Sequence, residues 1–140
     1  MKRLISNVRD WLQGRNHHRI GQSGRWAERI AAQHLKTRRY RILATNLRVG
    51  RGELDLLALD PDKTTHVVVE VKAATSDAPR WRPEHHANPA KQRQLLRLTQ
   101  QLIKQRSLGH HPWRIDLITV TQTEPDTPPT IRHHTNFVQL

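Results

Sequence analysis

At 140 residues the chain has room for one domain of ordinary size, which can bury roughly 70% of the surface its unfolded form exposes and so needs no staple. It contains no cysteine, which excludes disulfides and thiolate metal sites, and no run approaches the ~20 apolar residues of a membrane span. Charge is uneven: residues 1–50 carry a net +10, relieved only by Asp10 and Glu28, while residues 51–140 carry +2.

A positive half of this kind suits a polyanion binder, and an ordinary solvated basic surface accounts for it equally well. Aromatic residues are too few for a base-stacking platform. The basic start of the chain has no continuous apolar stretch behind it, so no secretory signal is read there. With the missing cysteines, this predicts a cytoplasmic protein.

Residues 1–20 read as a basic extension, with Leu4, Ile5, Val8, Trp11 and Leu12 at helical spacing, and residues 21–140 as the α/β domain. Gly14 to Gly24 is a linker. Ser23 is placed to cap a helix running to about Arg38, with Trp26, Ala27, Ile30, Ala31, His34 and Leu35 on its apolar face and Glu28 at the rim. Three strands follow, Tyr40–Ala44, Glu53–Leu59 and His66–Lys72, the last two joined by the turn chemistry of Asp60-Pro61-Asp62-Lys63-Thr64. Residues 73–89 lack periodicity and read as a loop. Pro89 opens a second helix to about Arg106, striped by Lys91, Leu95, Leu98 and Leu102. A fourth strand at Trp113–Thr121 and a short fifth at Thr130–His134 complete the order α-β-β-β-α-β-β, a central mixed sheet flanked by helices.

Two strands hold acids where core strands rarely do. Alternation puts Glu53 and Asp55 on one side of the second strand. In the third, Glu70 and Lys72 share one face while Val67, Val69 and Val71 fill the other. A carboxylate in so apolar a strand must be paired or bound to metal, or it costs several kcal/mol. If the two strands pair as a hairpin, Asp55 and Glu70 converge with Lys72 beside them. Mg²⁺ or Mn²⁺ takes such hard oxygen ligands, and a nearby lysine stabilises a crowded phosphate transition state. A structural ion pair between the same residues is the competing account. Asp116 beside Arg114 reads as a salt bridge, and the paired histidines lack the spacing of a zinc site. Arg25, Arg48, Arg51 and Lys91 are candidates for phosphate contact, although Arg48 or Arg51 would equally pair with Glu53.

An ordered series of residues resembles the YraN-type family of small bacterial proteins. It runs Gly24-Arg25-Trp26-Ala27-Glu28, Ala31, Asn46, Gly52-Glu53-Leu54-Asp55-Leu56 and Val69-Glu70-Val71-Lys72, then Lys91-Gln92, Arg114-Ile115-Asp116-Leu117 and Asn136-Phe137. The resemblance implies a restriction-endonuclease-like fold of the PD-(D/E)-x-K class, related to Holliday-junction resolvases. On that implication Asp55 and Glu70 are metal ligands, Lys72 the catalytic lysine, and Glu28 an accessory acid. Ala27 and Arg51 stand where the family often has glycine, and Leu54 replaces the proline of the class name. The expected activity is divalent-metal-dependent hydrolysis of DNA phosphodiesters, at branched or damaged structures. The alternative is a non-catalytic nucleic-acid-binding protein that keeps the fold. Partners expected are nucleic acid, DNA in preference to RNA, and a second copy of the chain. No small-molecule cofactor is expected.

Overall fold

A computed structural model describes residues 25–74, 89–122 and 124–139. The basic extension 1–20, the linker, the cap at Ser23 and most of the loop at 73–89 lie outside the described residues. The elements are α1 (Arg25–Thr37), β1 (Arg41–Val49), β2 (Gly52–Leu59), β3 (His66–Ala74), α2 (Pro89–Gln105), β4 (Trp113–Thr121) and β5 (Thr130–Val138). The anticipated order is therefore present, with β1 and β5 longer than their sequences suggested. Both extensions pass through asparagines with left-handed backbone, Asn46 (φ 49°) and Asn136 (φ 55°), where irregular backbone masks strand periodicity.

The five strands form one mixed sheet in the order β1-β2-β3-β4-β5. β1, β2 and β3 are an antiparallel meander, β4 runs parallel to β3, and β5 returns antiparallel along β4. A parallel neighbour requires a crossover, and the segment containing α2 supplies it. The β2–β3 turn follows the residues that predicted it: Asp62 Oδ1 accepts the N–H groups of Thr64 and Thr65 at 2.8 Å, and Lys63 takes φ 66°.

Each face of the sheet buries one helix. α1 inserts Trp26, Ala27, Ala31 and Leu35 against Leu56, Ala58, Val67, Val69 and Val71. α2 lays Leu95, Leu98 and Leu102 against Leu54, Leu57, Val68 and Ile115 on the other side. Leu35, Leu56, Val69, Leu102 and Ile115 are fully enclosed, each worth about 1.5–3 kcal/mol of removal from water. Gly52 admits α2 closely, since a Cβ there would lie 2.6 Å from Leu98 Cδ1.

One irregularity positions the site. Simple alternation would keep Leu54 and Leu56 on one face, yet Leu54 packs under α2 and Leu56 under α1. β2 thus rolls about its own axis at Asp55. The β2–β3 ladder also ends there, its last pair being Leu56 and Val69.

Candidate functional site

Where β2 and β3 part, Asp55 replaces the missing ladder bond: its Oδ2 accepts the Val71 N–H at 2.9 Å. The half-buried carboxylate is thereby fixed in the fork between the strands. Glu70, one residue back on β3, lies on the α2 face with only 7% of its side chain exposed. The two carboxyl groups are close enough to hydrogen-bond, as expected if the hairpin brought them together.

Two lysines face the buried carboxylate. Lys72 Nζ stands 3.8 Å from Glu70 Oε1, and Lys91 Nζ, from the first turn of α2, stands 3.3 Å from the same oxygen. Burial is the largest influence on Glu70 and the charge of Asp55 the next; the lysines offset them only in part. The Glu70 carboxyl is pushed up to about 7.

Glu28 completes the acidic cluster from the opposite side of the sheet. Burial first, and then the charge of Asp55, raise its pKa, while a hydrogen bond with Asn46 opposes them. The roll of β2 explains how Asp55 is felt by Glu28 on the α1 side and Glu70 on the α2 side. Asn46 had entered only as one member of the resemblance series. Its left-handed backbone and its bond to Glu28 give it a physical role, and the signal in the sequence was an asparagine interrupting a strand.

The remaining candidates divide. Lys91 joins the site through Glu70. Arg25 contributes charge near Glu28 and is exposed at the start of α1. Arg48 and Arg51 are also exposed, and the backbone register sets Arg48 opposite Glu53, so neither converges on Glu70. Asp62 is absorbed by its turn, with Thr65 Oγ1 donating to Oδ2 at 2.5 Å.

A second polar cluster is closed on itself. Asp116, fully buried in β4, accepts from Arg114 Nε at 3.0 Å and from the Asn136 N–H at 2.8 Å, and lies 2.7 Å from His133 Nε2. Arg114 spends its other nitrogens on Asp60 at 2.6 Å and on the Tyr40 hydroxyl at 2.8 Å. The predicted salt bridge is therefore part of a larger structural network, whose distant members no sequence spacing disclosed.

The donors at the fork suit a hard divalent cation, which commonly takes one or two carboxylates and completes its shell with water and phosphate. Among the described residues no three histidine or acidic side chains form a ready-made cage, so Asp55 and Glu70 would be the protein's share. Among the described residues no helix is long and apolar enough to cross a membrane.

Comparison with known proteins finds relatives, solved structures and a family model. A UPF0102 protein of Geobacter sulfurreducens is 34% identical over 128 residues, spanning 91% of this chain and 95% of the relative. One from Syntrophotalea carbinolica is 38% identical over 97 residues, 69% of this chain and 76% of that protein. Among solved structures, a repair endonuclease from Pyrococcus abyssi aligns at TM-score 0.41 and 17% identity, over 69% of this chain and 38% of its own. Pyrococcus furiosus SfsA in complex with Ca²⁺ aligns at 0.31 and 16%, over 84% and 64% respectively. The chain thus spans well under two thirds of the endonuclease. The family model matches residues 27–120, which include Glu28, Asp55, Glu70, Lys72 and Lys91. As the resemblance in the sequence implied, this chain belongs to the uncharacterised protein family UPF0102, the YraN-like family.

Proposed function

We propose that this chain is a divalent-metal-dependent endonuclease that hydrolyses DNA phosphodiesters, with branched or damaged DNA as its substrate. The observation that carries the reading is the fork itself: Asp55 and a buried Glu70 meet where the sheet ladder breaks, with Lys72 and Lys91 on the same carboxylate. Burying Glu70 beside Asp55 sets like charges together at a cost in stability, and perturbed groups of this kind concentrate at working sites.

Mg²⁺ or Mn²⁺ held by Asp55 and Glu70 would supply Lewis-acid polarisation of phosphate and an acidified water. Lys72, more than a third exposed, is free to place its ammonium against a phosphate oxygen and stabilise the developing charge. Lys91 would hold the neighbouring phosphate, and Glu28, steadied by Asn46, would orient solvent from the far side. A second copy of the chain would present a second site to a branched substrate.

The test is calorimetric titration with Mn²⁺ of wild type, Asp55→Asn and Lys72→Ala, alongside cleavage of linear, nicked and four-way-junction DNA. Wild type should bind the ion and cleave, and Asp55→Asn should do neither. Lys72→Ala should bind at least as well, since it removes a repelling charge, and should not cleave. Equal uptake by wild type and Asp55→Asn refutes the site. One observation favours a second reading, a non-catalytic nucleic-acid-binding protein with the same fold. Lys91 sits 3.3 Å from Glu70 and competes with a metal for that oxygen. Tight DNA binding with neither Mn²⁺ uptake nor cleavage would establish it.

A further inference from the structure

The helix that brings Lys91 to Glu70 carries a row of cations with no assigned task. α2 contains Lys91, Arg93, Arg97 and Lys104, five glutamines and no acid. Leu95, Leu98 and Leu102 define its buried stripe. At 100° per residue, Arg93, Arg97, Gln100 and Lys104 fall within a stripe about 60° wide on the opposite side, and all four are exposed. None of the three cations makes an ion pair with a carboxylate among the described residues.

Such a row opposes the usual rules for a solvated helix. Exposed faces normally mix signs, with acid–base pairs at i, i+4, whereas Arg93 and Arg97 set like charges at that spacing. Lys91 and Arg93 also stand in the opening turns, where the helix dipole disfavours cations. Both costs vanish when polyanion lies along the helix. Arg93 to Lys104 spans about 16 Å, and at one charge per 3.4 Å of axis per strand that length faces about five phosphates. The row begins two residues along the helix from Lys91, on the side turned away from the sheet.

We infer that the outer face of α2 is a phosphate-binding rail that seats one arm of a duplex nucleic acid. The inference rests on the nucleic-acid reading above and assigns to it the surface that holds substrate. Charge complementarity selects the occupant: three cations in line with no carboxylate partner among the described residues, and interspersed glutamine amides able to donate to phosphate or sugar oxygens.

The test uses the full chain and a labelled duplex of about 20 base pairs in chelator, with anisotropy read across a range of KCl. The variant Arg93→Gln/Arg97→Gln/Lys104→Gln is compared with Arg29→Gln/Lys36→Gln/Arg38→Gln, which removes equal charge from the α1 end. Glutamine keeps helix propensity nearly unchanged. The rail variant should lower the log–log salt slope by about 2 to 3, and affinity at 0.1 M salt by about tenfold per lost contact. The α1 variant should change the slope by less than one. Equal losses in the two variants, or an unchanged slope in the rail variant, overturn the rail while leaving duplex binding and the metal site standing. Failure of wild type to bind duplex, including capture by anionic vesicles instead, overturns both the rail and the function proposed above.

Discussion

Replacing Glu70 by glutamine isolates the electrostatic cost of the fork. The carboxyl, ordinarily near 4.5, is pushed up to about 7, chiefly by burial and then by Asp55. At 1.36 kcal/mol per pKa unit, the folded protein gives up about 3 kcal/mol by ionising this group. The sign follows from proton counts. Between pH 4.5 and 7 the folded state holds a proton that the unfolded state has released, so stability falls as pH rises through that window and stays reduced above it. Glutamine mimics the protonated acid and carries no such penalty. The variant should match wild type within about 0.5 kcal/mol at pH 4.5 and exceed it by about 3 kcal/mol at pH 8. For a domain of this size that is on the order of 10 °C in melting temperature. Thermal unfolding of both proteins in chelator, at half-unit steps of pH, reads the effect directly. Mn²⁺ at a hundredfold excess over Kd should then close most of that gap, stabilising wild type by about 2.7 kcal/mol and leaving the variant unchanged. A glutamine variant that is less stable than wild type at pH 8 would refute the reasoning. Lys72 and Lys91 would then be shown to satisfy the carboxylate fully, making the cluster an ordinary ion pair.

Asp116→Ala should cost about 3–5 kcal/mol at pH 7, because it strands the Arg114 guanidinium in a closed network. Burial alone would raise the Asp116 pKa, but hydrogen bonds from His133, Arg114 and the Asn136 N–H outweigh it and hold the group low. Its stabilisation is therefore present above the unfolded value near 4 and is lost as pH falls through the lowered folded one; urea unfolding at pH 7 and pH 2.5 should show the variant's deficit shrinking in acid, and a constant deficit would contradict this. Gly52→Ala should destabilise by about 1–3 kcal/mol, since its Cβ would press on Leu98 Cδ1 at 2.6 Å and Cδ2 at 2.7 Å. An unchanged denaturation midpoint would show that α2 shifts freely on the sheet.

The parts of this architecture that depend on local periodicity were readable in the chain. Trp26, Ala27, Ala31 and Leu35 repeat at helical spacing, Val67 to Val71 form an apolar strand, and Asp60 to Thr64 carry turn chemistry; each formed the element its pattern required. The convergence of Asp55 and Glu70 was also readable, given one assumption, that β2 and β3 pair. What alternation could not give was the roll of β2 at Asp55. Strict period two sets Leu54 beside Leu56, whereas the fold divides them between two cores. The roll depends on which helix covers which part of the strand, a non-local property. His66 is similar: stacking on Trp113 at 4.7 Å and approaching His111 at 5.0 Å depend on the parallel register of β3 and β4. Nothing in the spacing of 66 and 111 encodes that register.

The same backbone repair occurs twice in this sheet, and the contrast between the two places supports the proposed site. At each place the regular ladder lapses and an aspartate carboxylate accepts the orphaned N–H of the adjoining strand. Asp55 takes Val71 where β2 leaves β3, and Asp116 takes Asn136 where the β4–β5 register shifts. Buried backbone donors must be satisfied, so both aspartates have a structural reason to exist. Around Asp116 the fold adds Arg114 and His133, and the cluster ends with the Asp116 pKa held low and its donors spent. Around Asp55 it adds Glu70 and Glu28, both with raised pKa values, and draws Lys72 and Lys91 onto Glu70. Stability alone would favour the first solution at both places. Keeping the second at one of them costs folding free energy, which on the proposed function a cation between Asp55 and Glu70 would return.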